Sequence, residues 1–210
     1  MDVVQLRKQI PVCQAMTYMN TGWSGPSPLP VVDAIKERLN LEMTRGPTSP
    51  DVNSAGKETQ TKAKEAVARL LNAEPEEICL TKNTTEGLNF VINGLPWRQG
   101  DEIITCSLEH NSVLVPSYYQ QHRHGAVAKV LDIAPSESQQ GVLDKVEAAV
   151  SERTKLVFLS HVEYSCGLRM PVKEIGQLIR NRGGLMLLDG AQTAGHIDLD
   201  MRDLGCDFYS

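Results

Sequence analysis

The stretch GGLMLLDGAQTAGH, residues 183–196, decides how the chain is read. Leu185, Met186, Leu187 and Leu188 form a short apolar run bounded by glycines, the pattern of a strand covered on both faces of a parallel sheet. The run ends on Asp189, followed at once by Gly190, Ala191 and Gln192. Burying a carboxylate there unpaired costs several kcal/mol or forces its neutralisation, so Asp189 must meet a cation or cap a turn.

Similar runs precede it. EICLT (77–81), DEIITC (101–106), AVAKVLDI (126–133) and KLVFLSH (155–161) read as strands. The segments between them carry helical period. Val142, Val146, Ala149 and Val150 share one face, as do Val172, Ile175 and Ile179. This alternation predicts an α/β fold, a mostly parallel sheet with helices on both sides. At the far end GCDFYS (205–210) reads as the opening of one more strand.

Upstream lie two helical segments, LPVVDAIKERLNLEM (29–43) and SAGKETQTKAKEAVARLLN (54–72), the second with Ala63, Val67, Leu70 and Leu71 on one stripe. Between them TRGPTSPDVNS (44–54) reads as a loop or hinge. YMNTGWSGPSPLP (18–30) suits an irregular segment held against other structure. A boundary is placed near residue 50, with 1–50 an N-terminal segment, part of a small domain or arm, and 51–210 a large domain.

Composition narrows the function classes. A chain of 210 residues can bury a sizeable core. A net charge of −5, with no Lys/Arg run longer than a pair, predicts neither nucleic acid nor an anionic membrane as partner. Five cysteines, scattered and without a CxxC pair, indicate no disulfide framework and no zinc site. Cys79 and Cys106, within apolar runs, read as buried small hydrophobes. No secretory leader or spanning run is present, and a soluble, cytoplasmic protein is expected.

Ligands of open parallel sheets bind beyond the carboxyl ends of the strands, where four polar signals collect. Thr84 and Thr85 open a helical pattern, either as caps or as part of an anion site. His110 enters another helix and can stack on a ring or move a proton. His161, with Glu163, Tyr164 and Ser165 beyond it, can line a cleft or sit in a plain loop. Asp189 with Gln192 completes the set. Together they suit a ligand with a phosphate, an aromatic ring and a ring nitrogen that needs a carboxylate. Pyridoxal 5'-phosphate (PLP) meets those requirements, because a buried Asp keeps its pyridine nitrogen protonated.

TKNTTEGLN (81–89), LEHNSVLVP (108–116), LSHVEYSCG (159–167) and LLDGAQTAGHIDLDMRDLGCDFYS (187–210), in that order, resemble the large domain of class V aminotransferases, the cysteine desulfurase-like group of fold-type I PLP enzymes. YMNTGWSGPSP (18–28) is similar to the start of the cysteine lyase and isopenicillin N epimerase-like branch. The resemblance implies that Thr84 and Thr85 hold the cofactor phosphate and that His110 stacks on the ring and shuttles protons. It also implies that Asp189 pairs with the ring nitrogen and Gln192 bonds the phenolic oxygen. His110 and Asp189 are then the catalytic residues.

Two departures accompany it. Where many members carry an Asn beside the phenolic oxygen, this chain reads Glu163-Tyr164-Ser165, and Tyr164 or Ser165 is left to substitute. The family's Schiff-base lysine follows the equivalent of CDFYS, so the large domain is expected to be incomplete, its C-terminal part missing, in a fragment of a chain about twice as long. Lys155 and Lys173 receive no such role.

The implied function is a PLP-dependent transferase or lyase acting on an amino acid, by cysteine desulfurase or cysteine/cystine lyase chemistry. An epimerase, a kynureninase-like hydrolase or an aminotransferase would share every residue named, and a non-catalytic truncated PLP-fold protein stays open. The resemblance implies a homodimer with the active site at the subunit interface. Arg45 in TRGPTSP is a candidate to approach the pocket or to lie in a solvated hinge. A nucleotide-binding domain is disfavoured by the absence of GxGxxG and GxxxxGK[ST].

Overall fold

The computed structural model describes residues 2–210. The chain divides into two compact units, one ending at Ala63 and the other running from Lys64 to Ser210.

The first unit is helical. Asp2 caps α1 (Val3–Gln9) by accepting the N–H groups of Val4 and Gln5. A short α2 (Val12–Ala15) leads into an irregular stretch in which the Tyr18 hydroxyl donates to the Ser24 carbonyl at 2.8 Å. Trp23 is 82% exposed there, so the expectation that this segment packs against other structure is not met within the unit. Helix α3 (Leu29–Arg45) stops at Gly46, whose φ of +87° suits a residue without a Cβ. Helix α4 (Pro50–Leu71) then begins at once. The expected loop over 44–54 therefore shrinks to residues 46–49. Pro50 at the first helical position has no N–H to leave unbonded, and that favours the early start.

In the second unit α4 ends with Ala68 buried and Leu70 exposed, so the stripe expected from periodicity is only partly covered. A 3-10 turn follows at Pro75–Glu77, closed by a reciprocal bond between Glu74 and Glu77. The strand expected at EICLT does not form: Ile78 is extended, and residues 78–81 belong to no strand. Extended backbone becomes a strand only beside another, and the sheet supplies no neighbour for this segment among the described residues. Cys79 is accordingly exposed, which corrects its reading as a buried hydrophobe. Cys106 is buried as expected.

From α5 (Thr84–Gly94) onward the order is β1 (Glu102–Cys106), α6 (Asn111–His124), β2 (Val127–Leu131), α7 (Gln139–Ala149) and β3 (Thr154–Ser160). Then come α8 (Val172–Arg180), β4 (Leu185–Asp189), α9 (Met201–Leu204) and β5 (Phe208–Tyr209). The five strands form one sheet in the order β2-β1-β3-β4-β5, every neighbouring pair parallel. The expected parallel α/β architecture is thus present.

Alternate side chains enter two cores. Ile104, Val157, Leu159, Met186 and Leu188 pack with residues of α7 and α8. Ile103, Leu156, Phe158 and Leu187 pack with Leu88, Ile92 and Val113 of α5 and α6. Each fully buried side chain of this size contributes about 1.5–3 kcal/mol, which is why near-continuous apolar runs are needed in a sheet covered on both faces. The register puts Ser160 opposite Asp189, so the polar residues that end β3 and β4 emerge together at one edge. No helix among the described residues is long and apolar enough to cross a membrane.

Candidate active site at the strand ends

Asp189 closes β4 and is 6% exposed. Its Oδ1 accepts the Ala191 N–H at 2.9 Å, and its carboxyl sits above the usual range, chiefly because of burial. The Ala191 bond and the charge of His110 oppose that shift. One backbone donor does not replace the water a carboxylate gives up at this depth, so the position favours a cationic partner. Gly190 must follow, since a Cβ there would overlap the Tyr209 ring. Gln192 is half-buried in the turn beyond.

His110 is the N-cap of α6, with Nδ1 accepting the Ser112 N–H at 3.1 Å. A neutral ring that accepts at Nδ1 carries its proton on Nε2. Ser112 Oγ lies 2.8 Å from His110 Nδ1 and 2.8 Å from Thr85 Oγ1, so one hydroxyl ties the starts of α5 and α6 together. The Tyr164 ring meets His110 edge-on, 5.2 Å between centroids. Of the two residues left to replace the family Asn, Tyr164 is therefore the one beside the His110 ring, while Ser165 is exposed.

At the start of α5 the cap is Asn83, whose Oδ1 accepts the Glu86 N–H at 2.9 Å. Thr84 and Thr85 are not the caps. Their place in the first turn, at the positive end of the helix dipole, suits an anion. Ser210 Oγ donates to the Thr84 carbonyl at 3.1 Å, bringing the end of the chain beside this turn. Thr85, His110 and Ser112 also border an open groove of about 740 Å³ with Asn89 and Tyr119.

His161 follows β3 and is 1% exposed. Burial, with a smaller push from Arg169, lowers its pKa to about 4, so the ring is neutral. Nδ1 lies 3.3 Å from the Tyr209 hydroxyl, which also bonds Thr193 Oγ1, and Nε2 has no partner. Ser112, Thr193 and Tyr209 were missed by sequence reasoning. Their hydroxyls sit in motifs singled out for other residues, and nothing local marks which of them turn inward. Lys155, bonded to Asp101 at 2.7 Å near the start of β3, lies at the opposite end of that strand. Lys173 at the start of α8 pairs with Asp203 of α9 at 2.5 Å.

A family model described as aminotransferase class-V matches residues 18–210. A probable cysteine desulfurase of Methanothermobacter thermautotrophicus is 35% identical, aligned over 99% of this chain and 52% of its own. Isopenicillin N epimerase of Amycolatopsis lactamdurans is 32% identical, over 97% of this chain and 52% of its own. The cystine C-S lyase C-DES, solved with its product cysteine persulfide, superposes with a TM-score of 0.91 at 30% identity, covering 96% of this chain and 54% of that one. A C-DES mutant solved with glycine covalently linked to its PLP cofactor matches equally well, TM-score 0.91, over 97% of this chain and 54% of that one. The chain thus spans about half the length of the relatives it matches.

Proposed function

The chain belongs to the class V aminotransferase family, and from that premise we propose that it forms the cofactor-holding part of a PLP-dependent enzyme acting on cysteine or cystine, by desulfurase or C–S lyase chemistry. The observation that carries this reading is Asp189: a buried carboxylate at the end of a parallel strand, its proton affinity raised by burial against the opposing effect of Ala191 N–H and His110.

The residues fit the cofactor. Asp189 would hold the protonated ring nitrogen. Thr84 and Thr85, in the first turn of a helix already capped by Asn83, would hold the phosphate. His110 would cover a ring face, with Tyr164 against its edge. Gln192 would bond the phenolic oxygen. When bound, PLP supplies an electron-accepting ring for charge developing on the substrate. Asp189 keeps that ring cationic, and its burial strengthens the pairing by excluding water. The Ser112 N–H donates to His110 Nδ1, which orients the ring and leaves Nε2 as the nitrogen facing away from that bond.

The protein is read as a homodimer and as cytoplasmic. Val31, Ile35, Leu39 and Met43, each four residues apart on α3, are exposed, as are Val115, Tyr118 and Tyr119 on α6. A second copy would cover such faces. The five cysteines are free, as in a reducing compartment.

The test is to purify the full-length protein with PLP, record visible absorbance, and assay sulfide, pyruvate and alanine from cysteine and cystine. A coloured protein that releases sulfide or pyruvate supports the reading. A colourless protein inert to both substrates sinks it. The epimerase relative favours a second reading, distinguished by inversion of a substrate stereocentre without sulfur release.

A further inference from the structure

Two carboxyl groups meet beneath the strand ends. Glu109, after β1, and Glu163, after β3, are 4% and 1% exposed. Ser160 holds Glu109 from both atoms it can offer: Oε1 accepts the Ser160 N–H and Oε2 the hydroxyl, each at 2.6 Å. Glu163 Oε1 accepts from Cys106 Sγ at 3.4 Å, while its Oε2 is buried with no partner. Cys106 Sγ and an oxygen of each carboxyl all lie within 4.8 Å of one another.

The groups that act most strongly on this pair are themselves acidic or neutral. Glu163 meets the Cys106 thiol from β1, Glu109 from the loop before α6, and Asp189 from β4. Glu109 meets Ser160 from β3, Glu163, and Cys106 at 3.9 Å. Two carboxylates this close and out of water do not both ionise. Burial, then repulsion from Glu163, pushes Glu109 well above its ordinary range. Burial lifts Glu163 to about 6, with bonds from Cys106 and Glu109 opposing and repulsion from Asp189 adding.

We propose that Glu109 and Glu163 hold a single proton between them at neutral pH, and that Glu163 is through this pair a positioning residue that sets how firmly Asp189 holds a ring cation. The inference rests on reading Asp189 as the partner of the PLP ring nitrogen. Below about pH 6 the pair is neutral. Above it one proton passes to solvent, the other stays with Glu109, and a negative charge appears on Glu163 beside Asp189. That charge favours the protonated ring, so the grip tightens as pH rises.

PLP dissociation constants of the wild type, Glu163→Gln and Glu109→Gln from pH 5 to 8 test this, with the carboxyl infrared band recorded at pH 7. The cofactor phosphate's own ionisation, near ~6, is common to all three proteins, so the pair is read from the ratio of variant to wild-type Kd. For Glu163→Gln that ratio is expected to rise roughly three- to tenfold across the range. For Glu109→Gln the wild-type dependence persists, because Glu163 still ionises, but the protonated-carboxyl band of the wild type is lost. A flat Glu163→Gln ratio, a wild type without the band, or a divalent cation retained by the cluster until a chelator removes it would each overturn the proposal. A wild type that takes up no PLP instead overturns the functional reading. Should Glu163→Gln not fold, the band in the wild type and its loss in Glu109→Gln still decide whether the proton is shared.

Discussion

Thr85 Oγ1 lies 2.8 Å from Ser112 Oγ, and that contact joins the N-termini of two helices that also meet through the apolar core and, farther along, through Gln120 Nε2 donating to Asn93 Oδ1 at 2.8 Å. The same Ser112 hydroxyl lies 2.8 Å from His110 Nδ1. One small side chain therefore sets both the proposed phosphate contact and the imidazole.

Removing it should weaken cofactor binding with little effect on folding. Ser112→Ala deletes two hydrogen bonds of the hydroxyl and leaves its backbone N–H, which His110 Nδ1 caps. A net bond is worth about 1 kcal/mol, so PLP affinity is expected to fall roughly fivefold or more. Cofactor titration by absorbance checks it, alongside a melting curve that should shift by only a few degrees.

Asp189→Asn should separate stability from activity. The carboxylate is buried and its proton affinity raised, so ionising it costs the folded state stability once pH exceeds the unfolded value. The neutral amide removes that cost. The cofactor-free variant is therefore expected to melt at or above the wild-type temperature at pH 7. PLP-dependent turnover should drop by about a hundredfold or more, since the ring loses its counter-charge. A variant that melts much lower would contradict the account of Asp189 as a charge whose burial costs the folded state stability.

His161 should make the protein acid-sensitive. Its folded pKa of about 4 is depressed by burial, so the native state resists taking up a proton that the unfolded chain accepts near 6.5. Stability is complete above the unfolded value and is lost as pH falls through the folded one, by roughly 3 kcal/mol in all. Urea unfolding between pH 7 and 4 measures the slope, and His161→Gln is expected to flatten it.

Gly190→Ala tests the approach of Tyr209. The added methyl would overlap the ring, which is itself bonded to Thr193 and 3.3 Å from His161. Overpacking of this kind costs about 1–3 kcal/mol, and the displaced ring should also disturb Asp189 next door. Lower melting temperature together with weaker PLP binding is the expected pair of results.

Much of the architecture was legible in residue order. Strands covered on both faces need near-continuous apolar side chains, and that requirement leaves a local mark at 102–106, 154–160 and 185–189. The carboxylate ending the most apolar run was visible for the same reason: one charge at the end of a greasy segment is an anomaly within a few residues. EICLT carried the same local mark and yet forms no strand, since pairing needs a neighbour and composition does not provide one.

What the sequence determined by itself, then, was the alternation of elements, the parallel sheet and the positions at its carboxyl edge, because burial pattern and helical period are properties of adjacent residues. The tertiary structure alone decided which of those positions meet. Thr85 finds Ser112 across 27 positions and Cys106 finds Glu163 across 57, through the packing of α5 on α6 and the pairing of β1 with β3. Whether a carboxyl keeps its proton depends on such neighbours and on the water they exclude, and neither is written in the order of the chain.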